Sequence, residues 1–150
     1  MVNRPYEPIE WLGDRVKILD QTKLPQEEVY IETDNFLDVA FAIKELKVRG
    51  APAIGVAGAY GIAVGALGIK AGSTALFLKK LQDIIKVIAA TRPTARNLFY
   101  AVERMSRQVE SNSGKTIAAI QSSLVKEAVN IHREEEAGTK KLSEYGAGLI

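Results

Sequence analysis

The chain has 150 residues, of which 47% are hydrophobic and 25% charged, and these fractions fit a single soluble domain with a sizeable core. Its formal net charge of +2 gives no reason to expect a nucleic-acid partner, because nucleic-acid-binding proteins usually carry a strongly basic patch or stripe. The absence of cysteine excludes a disulfide, a thiolate nucleophile and a cysteine-ligated metal, and it suits a protein of the cytosol.

The first 33 residues have the composition of a small antiparallel β region. Two short runs, Arg15 to Leu19 and Val29 to Glu32, alternate or favour strand residues, and a polar connection with a proline joins them. We therefore predict a hairpin within residues 1–33. Asp20 and Gln21 stand at the end of the first strand, where polar side chains either close a turn or line a site, and the sequence leaves both alternatives open.

From residue 34 onward, hydrophobic residues recur with helical spacing, which predicts a helical bundle over residues 34–150. The predicted caps and helix starts are Thr33 or Asp34, Ser73, Pro93 and Thr116. The residues expected to face the core are Phe36, Leu37, Val39, Ala40, Ile43 and Leu46, then Leu76, Phe77, Leu81, Ile84, Ile85 and Ile88, then Leu98, Phe99, Val102 and Met105. The last helix is expected to run toward Tyr145, with a bend near Gly138 and a flexible Gly-Ala-Gly end. The predicted fold class is α+β and mostly helical, with a small N-terminal antiparallel sheet before the bundle.

The segment from Val48 to Gly68, VRGAPAIGVAGAYGIAVGALG, predicts a buried central helix. Gly58, Gly61, Gly65 and Gly68 are three or four residues apart, so they lie on one helix face that a neighbouring helix can approach closely. Each mid-helix glycine costs about 0.5 to 1 kcal/mol relative to alanine, so packing must offset this cost. A membrane span is the alternative, since the segment is uncharged after its arginine, but its many glycines and alanines and its early proline favour a core helix.

Two arginines that precede predicted helix starts indicate phosphate binding. Arg49 lies just before the proline-led central helix, and Arg92 directly precedes Pro93 in the motif TRPTARNL, where Thr91 and Thr94 offer hydroxyls and caps. Helix N-termini attract anions through free N–H groups and the positive end of the dipole, and a guanidinium adds a bidentate donor. The two starts are expected to converge on one phosphorylated ligand, although an arginine before a helix is commonly a solvated surface residue.

Three other features predict no chemistry. The sequence Gly114-Lys115-Thr116 is similar to the end of a P-loop, but Val109 stands where that motif requires glycine. His132 is the only histidine, and on its polar stretch it is expected to face solvent rather than bind a metal. The acidic run from Glu134 to Glu136 is expected to form a solvated helix face. We therefore expect no metal site.

Four separated motifs occur in order along nearly the whole chain. They are LDQTKLP at residues 19–25, VRGAPAIGVAGAYGI at 48–62, TRPTARNL at 91–98 and the closing EYGAGLI. Together they resemble the N-terminal part of the 5-methylthioribose-1-phosphate isomerases, a family in one superfamily with ribose-1,5-bisphosphate isomerases and the regulatory subunits of initiation factor 2B. The APAIG sequence after the first arginine-glycine pair favours the methylthioribose member.

The resemblance implies a cytoplasmic enzyme of methionine salvage that converts 5-methylthioribose 1-phosphate into 5-methylthioribulose 1-phosphate without a metal or nucleotide cofactor. It implies that Arg49, Gly50, Ala51 and Arg92 contact the phosphorylated sugar. It also implies that the small sheet and the helical bundle form one N-terminal domain, which a Rossmann-like second domain follows. A homodimer is left open, and no nucleic-acid or membrane partner is implied.

This chain departs from the family pattern because the family's catalytic cysteine and acid-base aspartate belong to the second domain. The sequence has no cysteine and ends where that domain is expected to begin. We therefore expect a substrate-binding half without a catalytic residue, inactive alone, because sugar isomerisation needs a positioned acid-base group. The alternatives are a regulatory subunit like those of initiation factor 2B, which binds a sugar phosphate or a protein, and a helical interaction module without a ligand. Arg96, where the family more often has valine, is either a surface variation or an attraction for the substrate.

Overall fold

The computed structural model describes residues 8–48 and 50–148, with side chains described as far as Gly138. This part of the chain contains three strands, one short 3-10 helix and five α-helices. The strands are β1 (Ile9–Trp11), β2 (Val16–Leu19) and β3 (Tyr30–Thr33), and the 3-10 helix is Gln21–Lys23. The α-helices are α1 (Phe36–Lys44), α2 (Ala51–Gly68), α3 (Thr74–Ala90), α4 (Arg96–Asn112) and α5 (Ile117–Gly148). The predicted α+β class, with a small sheet before a helical bundle, is confirmed.

The three strands form one antiparallel sheet in the order β1-β2-β3. Ile18 of β2 is fully buried and lies opposite Ile9 on one side and Ile31 on the other. The predicted hairpin corresponds to β2 and β3, whereas β1 is an additional strand. Its three residues, joined to β2 by a turn in which Gly13 has a φ of 99°, are too few to show the alternation that identifies a strand in a sequence.

Helix α2 is the centre of the bundle and packs against the other four α-helices. All residues from Ile54 to Ala66 are buried. By length and composition alone α2 is apolar enough to cross a membrane, but here it is enclosed by helices and by the sheet. The prediction of a buried central helix is therefore confirmed.

Glycines of α2 allow its neighbours to approach the helix axis closely. A Cβ atom on Gly61 would lie 2.8 Å from Cδ1 of Ile88, and one on Gly65 would lie 2.7 Å from Cγ2 of Ile84. Both neighbours belong to α3, so a neighbouring helix packs closely against the glycine face of α2, as predicted. Gly68, by contrast, has no described atom within 4 Å of a Cβ position. The close face therefore ends one turn earlier than the glycine spacing predicted.

Helix α5 runs antiparallel to α2. Near the start of α5, the side chain of Gln121 donates a hydrogen bond of 2.9 Å to the carbonyl oxygen of Ala66, which lies near the end of α2. Further along α5, His132 lies beside Tyr60 in the middle of α2. The second half of α5 therefore approaches the N-terminal end of α2.

Helix α4 runs antiparallel to α5 and hence in the same direction as α2. At the end of α4, the amide of Asn112 donates a 3.0 Å hydrogen bond to Ser123 in the first part of α5. Earlier in α4, Arg104 donates a 2.5 Å hydrogen bond to Glu127, which lies later in α5. Because α2 and α4 share a direction, their N-terminal ends point to the same end of the bundle.

The predicted cap of α3 is right and that of α1 is wrong. Ser73 accepts a hydrogen bond of 3.2 Å from the N–H three residues later. Helix α1 is capped by Asn35, whose side-chain oxygen accepts a 2.9 Å bond from the N–H of Leu37. Neither Thr33 nor Asp34 takes this role, because Thr33 still pairs within β3 and the helix is capped one or two residues later than expected.

Four residues predicted to face the core are exposed instead. They are Leu37, Leu46, Leu76 and Phe99, with exposed fractions of 54%, 46%, 42% and 65%. Each outer helix buries only the side chains that face α2 and its neighbours. This buried face is narrower than the spacing of the hydrophobic residues predicted. Leu46 also lies beyond the end of α1, with a φ of 61°.

Helix α5 is continuous from Ile117 to Gly148. Its start follows the prediction, since Thr116 accepts a 3.2 Å hydrogen bond from the N–H of Ala119. Gly138 lies within the helix, and so do the last Gly-Ala-Gly residues, which the sequence predicted as a flexible end. The helix therefore extends three residues beyond its predicted end at Tyr145, because adding a residue to an existing helix costs far less than starting one.

Candidate phosphate-binding site

The start of α2 is shaped by Gly50. This N-cap residue has a φ of 89° and a ψ of 130°, a conformation that glycine adopts readily and other residues rarely do. Pro52 follows in the first turn, as predicted. Gly50 and Ala51 are exposed, so this end of the helix is open to a ligand. Arg49, the first arginine predicted to contact the ligand, lies outside the described residues.

The second arginine motif begins as a turn between α3 and α4. The hydroxyl of Thr91 donates a 2.6 Å hydrogen bond to the carbonyl oxygen of Ile88 and so completes the end of α3. The N–H of Ala95 donates a 3.0 Å bond to the carbonyl oxygen of Arg92, which closes a turn that contains Pro93. Arg92 is half-buried in this turn.

The helix predicted to begin at Pro93 begins instead at Arg96. Ala95 is the N-cap residue, and Thr94, a predicted cap, is an exposed residue of the preceding turn. The prediction is wrong because the backbone hydrogen bond within the turn holds the chain out of the helical conformation for three further residues. Arg96 is exposed in the first turn of α4.

The two helix starts lie against each other. A Cβ atom on Gly55 would lie 2.8 Å from the carbonyl oxygen of Asn97, the second residue of α4. Gly55 is about one helical turn, or roughly 6 Å, from the first residue of α2. The start of α2 and the turn that carries Arg92 therefore lie at the same end of the bundle. Their joint binding of a phosphate stays a prediction.

Among the described residues, no side chain caps the start of α2 or of α4, whereas the starts of the other three α-helices have side-chain caps. Asn35, Ser73 and Thr116 each accept an N–H hydrogen bond at the start of α1, α3 and α5. Gly50 and Ala95, at the starts of α2 and α4, make no side-chain capping bond. The first N–H groups of a helix have no partner within that helix. These two adjoining starts, which no side chain of the described residues caps, therefore direct N–H donors and positive dipole ends toward an anion.

A pocket of about 210 Å³ lies beside the two starts, between α2, α4 and α5. Its walls include Pro52 and Val56 of α2, Tyr100 and Arg104 of α4, and Ile131 and Glu134 of α5. Apolar and charged groups both reach the pocket. Its charged lining residues are Arg104, Glu134 and Glu135, so the pairing of the arginine decides whether any positive charge is left to attract an anion.

Arg104, which no local motif singled out, is held by two carboxylates. It donates a 2.5 Å hydrogen bond to Glu127 and another hydrogen bond to Glu134. Burial lowers the pKa of Arg104, but the hydrogen bonds to Glu134 and Glu127 outweigh this effect and raise it overall. Because its charge is matched, Arg104 fixes α4 to α5 rather than attracting an anion. Its partners are 23 and 30 residues away, which is why helical spacing could not reveal them.

His132 is not the solvent-facing residue that was predicted. Its Nδ1 lies 2.6 Å from the hydroxyl of Tyr60, and its side chain is 19% exposed. Nε2 of His132 lies 3.3 Å from Glu136, and Glu134 binds Arg104, so two members of the predicted solvated acidic face have partners. Tyr60 is 72 residues from His132, so the polar sequence around the histidine gave no sign of this contact.

The side chain of Asp20 closes a turn, which was one of the two roles that the sequence left open for it. One carboxylate oxygen accepts hydrogen bonds from the N–H of Thr22 at 3.0 Å and from its hydroxyl at 2.5 Å. The N–H of Asp20 donates a 2.7 Å bond to the carbonyl oxygen of Val29. The turn therefore joins the end of β2 to the chain that precedes β3.

Several known proteins are similar to this chain. A methylthioribose-1-phosphate isomerase from Dehalococcoides mccartyi (strain BAV1) is 56% identical over 142 residues, which are 95% of this chain and 42% of that relative. A crystal structure of 5-methylthioribose 1-phosphate isomerase from Pyrococcus horikoshii OT3 matches with a TM-score of 0.82 and 36% identity, covering 85% of this chain and 36% of that one. The translation initiation factor eIF-2B subunit delta from A. fulgidus matches with a TM-score of 0.87 and 38% identity, covering 95% and 41%.

The chain spans less than half the length of these relatives. Residues 47–150 match the Initiation factor 2 subunit family, IF-2B. This range includes α2, both arginine motifs and the long helix α5. The resemblance that the four motifs indicated is thus confirmed, and the chain belongs to the Initiation factor 2 subunit family.

Proposed function

We propose that this chain is the substrate-binding N-terminal part of an aldose-ketose isomerase. The complete protein would convert 5-methylthioribose 1-phosphate into 5-methylthioribulose 1-phosphate in methionine salvage. The observation that carries the proposal is the pair of uncapped helix starts at Gly50 and Ala95, which adjoin through Gly55 and Asn97. The 56% identity to the isomerase from D. mccartyi supports the choice of substrate.

Four residues are proposed to bind the substrate. Gly50 and Ala51 bring the first backbone N–H groups of α2 to the phosphate, and Arg49 and Arg92 add guanidinium groups that neutralise its charge. The turn closed by Ala95 supports this role for Arg92, because a half-buried side chain on a hydrogen-bonded turn loses less freedom on binding than one on an open loop.

Phosphate binding positions the sugar but does not by itself isomerise it. The reaction moves hydrogen between adjacent sugar carbons and needs an acid-base group at the reacting centre. Arginines and backbone N–H groups can only orient the substrate and neutralise its charge. We therefore assign no catalytic residue to this chain, and we propose that the catalytic groups of the complete protein lie beyond it.

The proposal extends to the organisation of the complete protein. Residues 1–33 and 34–150 would together form one N-terminal domain, which a Rossmann-like catalytic domain follows. The protein would act in the cytoplasm on a phosphorylated sugar, without a metal or nucleotide cofactor and without a nucleic-acid or membrane partner. A homodimer is compatible with this proposal and is not needed for the phosphate contacts described above.

The test is phosphorus NMR of 5-methylthioribose 1-phosphate mixed with this chain. We expect the phosphorus signal to broaden on binding, with no ketose formed. Arg92→Ala is expected to weaken binding by about tenfold, because it removes a charged hydrogen-bond donor. The matched control is Arg107→Ala, since Arg107 is an exposed arginine of α4 paired with Glu103, and its loss is expected to leave binding unchanged.

The outcomes separate the proposal from its alternatives. Conversion of the sugar by this chain would show that catalytic groups lie within residues 1–150 and would overturn the assignment of a binding half. No broadening at millimolar protein would favour a helical interaction module without a ligand. Equal loss of binding in the two arginine variants would contradict the placement of the phosphate beside Arg92.

A regulatory subunit is the second candidate, and the match to the initiation factor subunit from A. fulgidus favours it. A regulatory subunit would bind a sugar phosphate or a protein, so binding of the sugar phosphate alone does not separate it from the isomerase. The complete protein does, because an isomerase converts 5-methylthioribose 1-phosphate whereas a regulatory subunit binds without converting it. A cysteine at the first strand-to-helix turn of a following Rossmann-like domain would also favour the enzyme.

A further inference from the structure

A buried carboxylate forms an ion pair with the linker between α1 and α2, the stretch of chain that contains Lys47 and Val48. Asp20 is only 2% exposed, and its second carboxylate oxygen lies 3.6 Å from Nζ of Lys47. Burial raises the pKa of Asp20, but the hydrogen bonds from Thr22 and the charge of Lys47 outweigh burial and keep that pKa below its usual value. Asp20 is therefore a charged partner for Lys47 at neutral pH.

The backbone of Lys47 is fixed from two further directions. Its N–H donates a 2.9 Å hydrogen bond to the carbonyl oxygen of Ala42 in α1. Its carbonyl oxygen accepts a 3.0 Å bond from the N–H of Gln21, the residue after Asp20. The next residue, Val48, is 1% exposed and belongs to the core. The turn after β2 and the end of α1 therefore both hydrogen-bond to the backbone of Lys47 and restrain it.

We infer that Asp20 is a positioning residue, which through Lys47 sets the place of Gly50 and the first turn of α2 for phosphate binding. Gly50 is three residues after Lys47, so their Cα atoms are at most about 11 Å apart. Charged hydrogen bonds to a phosphate lose strength steeply with misplacement, so a less restrained linker weakens binding. The inference rests on the proposed function of this helix start.

Asp20 has two roles, closing its turn through Thr22 and pairing with Lys47, and removing its charge affects only the second. In Asp20→Asn the amide oxygen still accepts both hydrogen bonds from Thr22, so the turn is retained. The variant has no charge for Lys47. Lys47→Met removes the other partner of the pair and keeps an unbranched chain. Asp14→Asn is the matched control, because Asp14 is a largely exposed aspartate of the β1–β2 turn, paired with its neighbour Arg15.

The experiment measures the affinity of this chain and its variants for 5-methylthioribose 1-phosphate by calorimetry, well below each unfolding midpoint. We expect Asp20→Asn to weaken binding by about tenfold, Lys47→Met to do the same, and the double variant to be no weaker than either. Asp14→Asn is expected to bind like the parent chain. Unchanged affinity in Asp20→Asn would overturn the inference, and so would additive losses in the double variant.

A second readout keeps the inference testable if the parent chain does not bind the sugar phosphate, a result that would count against the proposed function alone. Amide hydrogen exchange of Lys47 and Val48 reports the linker directly. Faster exchange at these two amides in Asp20→Asn, with α3 unchanged, would support the positioning role. Exchange equal to that of the parent chain would overturn it.

Discussion

The hydroxyl of Tyr60 lies 2.6 Å from Nδ1 of His132, and this contact joins the middle of α2 to α5. The ring of Trp11 stacks on Tyr60 with a centroid distance of 5.1 Å, so β1 meets the same side chain. One tyrosine, 1% exposed, therefore connects the sheet, the central helix and the longest helix. The contact makes Tyr60 a stabilising residue of the bundle rather than part of the proposed site.

Tyr60→Phe is expected to lower the free energy of unfolding by about 1 to 3 kcal/mol, because His132 would lose a buried hydrogen-bond partner. Urea denaturation measures the change. The matched control is Tyr100→Phe, since Tyr100 is 64% exposed, and its effect is expected to stay within about 0.5 kcal/mol. Equal denaturation midpoints for the two variants would contradict a role for the Tyr60 hydroxyl.

Stability is expected to fall at alkaline pH through Tyr60. Burial raises the pKa of its phenol above the usual value, and the charge of Glu136 raises it further. Above about pH 10 the unfolded chain loses this proton while the folded chain keeps it, so rising pH favours unfolding. The difference in unfolding free energy between the parent chain and Tyr60→Phe is expected to shrink from about pH 9 to pH 11. Parallel curves would show that the hydroxyl ionises equally in both states.

Gly55→Ala is expected to destabilise the chain by about 1 to 3 kcal/mol. Its new Cβ would lie 2.8 Å from the backbone oxygen of Asn97, which cannot move aside as a side-chain tip can. Gly68→Ala is the control, because a Cβ there meets nothing within 4 Å among the described residues, and we expect it to stabilise α2 by up to about 1 kcal/mol. Thermal unfolding distinguishes the two, and a stabilising Gly55→Ala would refute the close contact of α2 with α4.

Gly50→Ala is expected to cost about 1 to 3 kcal/mol of stability and to weaken sugar-phosphate binding. The cause is the φ of 89°, since a Cβ there has open space around it but is strained by the backbone. Gly72→Ala, in the loop between α2 and α3, also meets open space but has no positive φ, so it is expected to change stability by less than about 0.5 kcal/mol. Denaturation and calorimetry together test this, and similar results for both glycines would argue against strain at Gly50.

Arg104→Ala is expected to lower the free energy of unfolding by about 1 to 2 kcal/mol, because Glu127, with a side chain 12% exposed, would lose its cation. Arg107→Ala is expected to cost less than about 0.5 kcal/mol, because both side chains of the Arg107–Glu103 pair are exposed. Urea denaturation provides the comparison. A larger effect for Arg107 would mean that surface pairing, rather than the contact of α4 with α5, dominates.

Much of the fold could be predicted because several sequence patterns depend only on residues within one helix or strand. The spacing of Gly61 and Gly65 and the absence of charge in α2 predict a buried helix without any knowledge of its neighbours. The cap at Ser73 depends only on the next three residues. The choice of Asn35 over Asp34 depends instead on where β3 stops pairing, which no local pattern contains.

The candidate site was predictable to a smaller extent. The proline-led start of α2 follows from its sequence, but the delayed start of α4 depends on the hydrogen bond from Ala95 to Arg92. The partners of His132 and Arg104 belong to helices remote in sequence, so their contacts arise only when the bundle assembles. The turn at Asp20 was one of two alternatives, and its link to Lys47 depends on the same assembly.

The burial of α2 has a consequence for when the protein is prone to aggregate. Helix α2 and its two flanking residues, Gly50 and Ile69, carry no charge, and the neighbouring helices cover the apolar surface of α2. A truncated chain without α5, or a folding intermediate in which α5 has not yet docked, would expose a long apolar surface and tend to aggregate. The cover over the apolar surface of α2 is thus a property of the assembled bundle, and undocking α5 would remove part of it while the helices themselves remain formed.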